Sequence, residues 1–318
     1  MKDNNITTIF QFGDIFDRRK YINFNSLKLS RQYFFDKLIE YDITMVVWPG
    51  NHDTHLKTSL EGNAPSLLLK EYKDNITIIE KPTTVKLGKA AALIIPWICM
   101  ENNDSCVEAI TNSTAELCFG HFEMNGFEMY KNSICTGGIS KDLFWKFVHV
   151  YSGHFHHIST KDNITYIGAP YQMTWADFDD DRGFFVLDTG ELTTEFVKNP
   201  YENFHKIIYD DTKLTIAKLE KINYDKYSDT FVKVIIEKRK DSYLLDKFID
   251  KLESVNATVR TVEDTTYKTI KCADDAVKDV DNIDKIFENI ASRYKDEVDP
   301  KKLEQRLMQL YSEANNLL

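Results

Sequence analysis

No apolar run in this sequence approaches the ~20 residues of a membrane-spanning helix, and residues Met1 to Asn5 lack the apolar core of a secretory signal. A cytoplasmic protein with no membrane partner is expected. Cysteine is scarce. The five residues Cys99, Cys106, Cys118, Cys135 and Cys272 are odd in number and nowhere spaced as CxxC. That speaks against a disulfide frame or a thiolate zinc site, and for reduced thiols. Positive charge is not in excess either: 40 Lys and Arg against 50 Asp and Glu leave a net charge of −10. Such a chain does not coat nucleic acid wholesale. It can still bind it through a local basic patch, or through metal ions that cancel carboxylate charge. Internal repeats and low-complexity tracts are absent.

What is present suits a folded protein of more than one ordinary domain: 318 residues, 42% apolar and 28% charged. In the first part, short apolar runs alternate with helical spacing. Ile6–Phe12 reads as a strand ending at Gly13, Leu27–Glu40 as a helix with Leu27, Arg31, Phe34, Phe35 and Leu38 on one face, and Ile43–Trp48 as a strand ending at Pro49-Gly50. Further strands are expected at 91–95, 117–119, 147–151 and 165–167, with a hairpin around Thr189-Gly190. This pattern predicts an α/β fold whose sheet is buried on both faces. Composition shifts near Asn199-Pro200. Residues 199–272 then read as a small α/β domain, with a strand at 231–236, a helix carrying Leu244, Leu245, Phe248 and Leu252, and strands at 255–262 and 267–270. Residues 273–318 are charged and carry two amphipathic stripes, Ile283/Ile286/Phe287/Ile290 and Leu303/Leu307/Leu310/Tyr311, with Pro300 opening the second helix. Such a tail packs on the body or docks on a partner. Domains are thus expected at 1–198, 199–272 and 273–318.

Seven of the eight histidines lie between His52 and His157. Four short motifs each follow an apolar strand: Gly13-Asp14-Ile15-Phe16-Asp17, Gly50-Asn51-His52-Asp53, Gly120-His121 and Gly153-His154-Phe155-His156. Strand C-terminal ends share one edge of such a sheet, and ligands bind there. Imidazole with carboxylate suits manganese, iron or zinc rather than the all-oxygen sites of magnesium and calcium. Two such ions can clamp a phosphate and activate a water for in-line attack. Taken singly, each motif reads as an ordinary polar turn. Their order and common placement at strand ends distinguish them. His55, His149, His157 and His205 are given no site role. Arg18-Arg19-Lys20 and Lys238-Arg239-Lys240 are solvated surface on composition, although beside a metal edge they can hold DNA phosphates.

The four motifs resemble the calcineurin-like metallophosphoesterase superfamily, with its ordered Asp-x-His, Gly-Asp-x-x-Asp, Gly-Asn-His-Asp/Glu, Gly-His and Gly-His-x-His. Within it, the chain is similar to the SbcD-type DNA-repair nucleases, and most to the recombination nuclease subunits of T-even phages. That resemblance runs nearly the whole length, through Ile6-Thr7-Thr8, Lys81-Pro82-Thr83-Thr84-Val85, Ile95-Pro96-Trp97, Gly126-Phe127, Tyr166-Ile167-Gly168 and Arg182-Gly183-Phe184. It implies a two-sheet sandwich flanked by helices, a DNA-binding cap domain and a helical tail docking on an SMC-like, SbcC-type ATPase. It further implies a homodimer, and manganese-dependent exo- and endonuclease hydrolysis of DNA phosphodiesters in double-strand-break processing. Asp14 would bridge two Mn2+ ions, Asn51, His121 and His154 would bind one, and His156 the other. His52 would face the scissile phosphate, Asp53 would orient His52, and Asp17 would support the Asp14 loop.

The signature's Asp-x-His has no match before Gly13. One ion would then keep only Asp14 and His156. A wrongly assigned start, a separate chain completing the fold, and an inactive relative are the three explanations. Beside the nuclease, two other readings stand: another metallophosphoesterase such as a phosphatase or phosphodiesterase, which would not need the cap and tail, and a non-catalytic DNA- or ATPase-binding subunit, which a metal count would separate.

Overall fold

A computed structural model of the chain describes residues 5–130, 133–263, 299–303 and 306–307. The chain divides into two compact units, Met1–Glu202 and Asn203–Leu318.

The first unit is a layered α/β sandwich. Its smaller sheet is parallel, with β1 (Thr8–Gln11), β2 (Thr44–Val47) and β3 (Ile76–Ile78) in that order. The larger sheet contains β4 (Thr83–Leu87), β5 (Ala90–Ile95), β6 (Leu117–Gly120), β9 (His149–Ser152), β10 (Ser159–Lys161) and β11 (Ile164–Tyr166), ordered β10-β11-β9-β6-β5-β4. Between β6 and β9 the chain makes a short hairpin of β7 (Glu128–Tyr130) and β8 (Ser133–Ile134). Strands β5, β6, β9 and β11 are parallel, and β4 and β10 close the edges antiparallel. A separate hairpin, β12 (Gly183–Asp188) with β13 (Thr193–Lys198), matches the expected one.

Side-chain alternation builds the layers. Val46 and Trp48 face one way from β2 and meet Ala92, Ile94, Phe119 and Tyr151 of the larger sheet. Met45 and Val47 face the other way, onto Phe35, Leu38, Leu69 and Tyr72. Leu93, Cys118 and Val150 cover the far side of the larger sheet, against Cys106 and Ile110 of a helix at Asn103–Asn112. Burying each large apolar side chain contributes about 1.5–3 kcal/mol. Cys99, Cys106, Cys118 and Cys135 are all buried, and none of the four is in a disulfide.

One expected helix is interrupted. Phe24–Ser30 and Asp36–Glu40 are α-helical, and Arg31–Phe35 between them forms a π turn. The extra residue rotates the apolar stripe, so Phe35 and Leu38 are buried while Phe34 is left 39% exposed.

In the second unit, β14 (Phe204–Asp210), β15 (Phe231–Lys238) and β16 (Thr258–Glu263) form a parallel sheet. One face packs on the helix Ser242–Ser254 through Val232, Val234, Phe248 and Leu252. On the other face the register sets Phe204, Phe231 and Thr258 in one row, Lys206, Lys233 and Arg260 in the next, and Ile208, Ile235 and Val262 in a third. The strand at 267–270 and the stripe at 283–290 lie outside the described residues, as does most of the tail. Pro300 does open a helical turn, capped by the Asp299 side chain accepting from the Lys301 N–H. Among the described residues, no helix is long and apolar enough to cross a membrane.

Candidate metal centre

The parallel strands deliver their C-terminal ends to one place. Asp14 follows β1, Asn51 follows β2, His121 follows β6 and His154 follows β9. His121 Nε2 lies 3.2 Å from Asp14 Oδ2 and 3.3 Å from His154 Nδ1. One terminal atom of the Asn51 amide lies 2.9 Å from each of these imidazole nitrogens and 3.2 Å from Asp14 Oδ2. Neighbouring ligands on an ion bound at ~2.1 Å are themselves ~3 Å apart, so these donors already stand at ligand spacing. Among the described residues, Asp14, His121 and His154 are the group of His, Cys, Asp and Glu side chains so arranged. The donor set fits a divalent transition metal.

Tight backbone packing makes this possible. A Cβ on Gly50 would overlap Asp14 Oδ1 and the Asp14 backbone nitrogen, and would come within 2.7 Å of His121 Cε1. Two of the ligand residues carry left-handed backbone, Asp14 at φ 56° and His154 at φ 83°. Such conformations cost about 1–3 kcal/mol each and persist where surrounding structure imposes them.

The imposing group is Asp53. It is 1% exposed, and its carboxylate accepts four backbone N–H groups: Asp14 at 2.6 Å and Gly50 at 2.9 Å on Oδ2, Ile15 at 3.1 Å and Phe16 at 3.3 Å on Oδ1. This corrects the expected role. Asp53 does not orient the His52 ring, because all its acceptor capacity is turned to the two ligand loops. His52 is held instead by its Nδ1–H, which donates to the Asp17 carbonyl at 2.8 Å, and by its backbone N–H, which donates to Asp14 Oδ1 at 2.6 Å. The Asp17 carboxylate is exposed beside Arg18. The Asp17 carbonyl, not its side-chain acid, makes the contact to His52.

The electrostatics prepare the ligands. Burial pushes the Asp14 carboxyl up, but the His121 charge and hydrogen bond, with the His52 amide, bring it down to about 2. Burial pulls the His121 imidazole down, but Asp14 and the Phe12 carbonyl outweigh it and raise it. Burial, with His121 alongside, lowers His154 to about 3 and keeps it neutral. The His121 Nδ1–H donates to the Phe12 carbonyl at 2.7 Å, which leaves Nε2 as the nitrogen turned to the cluster.

His156 is not a member of the four-donor cluster. Burial lowers its pKa, and Asp177 and Arg182 act on it more strongly than Asp14 does. Those two form a buried ion pair at 2.7 Å, and Asp180, 2.9 Å from Arg182, also accepts from His157. Sequence reasoning did not identify this network, whose members fall outside the four motifs. It also missed Glu123, whose Oε2 is 3.9 Å from His154 Nε2. A cavity of about 510 Å³ adjoins the cluster at His121, walled by Trp97, Met100, Phe122 and Glu123.

No family model matches the chain. It is 35% identical over 315 residues to "Exonuclease subunit 1" of Enterobacteria phage T4, a match spanning 98% of this chain and 89% of that relative.

Proposed function

From the premise that the chain belongs to the SbcD-type metallophosphoesterase family that includes exonuclease subunit 1 of phage T4, we propose that it is a metal-dependent DNA nuclease subunit that hydrolyses phosphodiesters in recombination and break repair. The observation that carries this reading is the convergence of Asp14, Asn51, His121 and His154 at ligand spacing from four strand ends.

Manganese bound there would stabilise charge on the phosphate and make water a better nucleophile. The protein's own part is positioning and proton transfer. Asp14, Asn51, His121 and His154 hold the metal. His52 is exposed and its Nδ1–H is committed to the Asp17 carbonyl, so as the imidazolium it presents Nε2–H to stabilise the phosphate or to protonate the leaving oxygen, passing on that second proton. The single four-donor cluster favours one tightly held ion, with His156 serving a weaker second position. The adjoining cavity is the size of a nucleotide and suits a DNA end.

The cap unit engages the DNA backbone through the row Lys206, Lys233 and Arg260. The three side chains stand in one row across neighbouring strands and could each meet a phosphate. Phe24 and Tyr33 are exposed, at 88% and 68%, and a homodimer contact would bury such side chains. The tail beyond residue 273 serves an SMC-like ATPase. The nuclease reading is tested by incubating end-labelled DNA with the purified chain in Mn2+, with and without chelator. Chelator-sensitive degradation, abolished in Asn51→Ala, supports it. Intact DNA in excess Mn2+ and with the partner ATPase present refutes it.

A further inference from the structure

Arg19 borders the metal cluster and is poorly satisfied. Its guanidinium carbon lies 5.6 Å from the centre of the Trp97 ring. Its Nη1 is buried with no hydrogen-bond partner among the described residues, and its Nη2 is 3.1 Å from the outer terminal atom of the Asn51 amide. An arginine stays charged, and its buried N–H groups are costly to leave unpaired.

The Asn51 amide explains the position. Its oxygen and nitrogen are nearly isosteric, so two orientations fit the same space. With the oxygen outward, it accepts from Arg19 Nη2, and the two N–H groups of the NH2 face the acceptors Asp14 Oδ2 and His154 Nδ1. That is the better arrangement without a cation. An amide nitrogen has no lone pair to offer a metal, so a cation in the cluster requires the oxygen inward. The NH2 then meets Nη2, donor against donor. Loading the site therefore strips Arg19 of its acceptor and leaves both prongs of the guanidinium fork, Nη1 and Nη2, without a partner beside the cluster.

A two-pronged donor of this kind matches two oxygens of one phosphate. We propose that Arg19 binds the phosphate of the DNA substrate, and that metal binding primes it by turning the Asn51 amide. The inference rests on the nuclease reading above and adds an order: metal first, then phosphate. The two ligands are thermodynamically coupled through one amide.

The test measures binding rather than turnover, with Mn2+ alone and with thymidine 5′-monophosphate, which contains no phosphodiester to cleave. Wild type is expected to bind the nucleotide at least about tenfold more tightly with Mn2+ than without. Arg19→Met should lose most of that gain while binding Mn2+ as tightly as wild type or more so, since the contact competing for the Asn51 oxygen is gone. Arg19→Lys should recover part of the nucleotide affinity, because it keeps the charge but not the fork. Unchanged nucleotide affinity in Arg19→Met overturns the proposal and leaves the nuclease reading standing. A parallel fall in Mn2+ affinity also overturns it, since Arg19 would then only hold Asn51 in place. Failure of wild type to bind Mn2+ overturns both.

Discussion

Asp53 holds Asp14 by the backbone: its Oδ2 accepts the Asp14 N–H at 2.6 Å, while its other bonds reach Gly50, Ile15 and Phe16. One buried carboxylate thus sets the two loops that carry Asp14 and Asn51. In Asp53→Asn, an NH2 replaces an oxygen and faces N–H donors. A stability loss of about 1–3 kcal/mol in thermal melts is expected. Metal affinity should fall about 10–100-fold, as is usual when a ligand's supporting partner is lost. An Asp53→Asn protein with wild-type metal affinity would show that the loops hold themselves.

Gly50 sits where no side chain fits. Gly50→Ala should disturb Asp14 and His121 while leaving the sheets intact, because the new methyl meets the ligands rather than the core. Far-ultraviolet circular dichroism close to wild type, with metal binding lost, is the expected pair of results. Retained tight metal binding would mean that the loops relax at little cost.

His52 and His154 should separate in mutagenesis. His154→Ala removes a donor and should release the metal. His52→Ala removes no donor and should keep the metal while slowing cleavage by ~10²-fold or more. Equal loss of metal in both variants, read by elemental analysis, would assign His52 to coordination instead.

The Asp14–His121 pair gives the cluster a pH signature. Asp14 is lowered to about 2 and His121 is raised, so each favours the charged form of the other in the metal-free cluster. The raised His121 stabilises the metal-free fold below its unfolded pKa of about 6.5, and that contribution fades as pH rises through the folded value. The lowered Asp14 contributes above about 3.8 and is lost as pH falls toward 2. A metal must displace the His121 proton, so below that group's folded pKa its affinity should weaken about tenfold per pH unit. Calorimetry in buffers of different ionisation heats should record about one proton released per ion bound. No release at pH 6 would mean that His121 is already neutral.

Charge reversal on the cap sheet probes the DNA surface. Lys206→Glu and Arg260→Glu should each weaken binding to any DNA sequence and lower the salt dependence by about one ion. Unchanged salt dependence in both would remove this face from the interface.

Much of this arrangement could be read in the sequence, because Asp14, Asn51, His121 and His154 each stand one to four residues beyond an apolar strand. Parallel strands then force those ends together. Asp53 could not be read correctly, since its neighbour in sequence is His52 but its neighbours in space are backbone amides of residues 14–16. The π turn at Arg31–Phe35 was also hidden, because its residues satisfy helical spacing until one residue too many enters the turn. Arg19 looked like one member of a solvated basic run, and only the Asn51 amide beside it sets it apart from Arg18 and Lys20.

The number of manganese ions held tightly per chain tests the central claim most directly. Titration of the metal-free protein, followed by the loss of the free-Mn2+ paramagnetic resonance signal, should show one tight ion in wild type and none in His154→Ala or Asn51→Ala. Two equally tight ions in wild type, or one tight ion surviving in His154→Ala, would contradict a site built from Asp14, Asn51, His121 and His154.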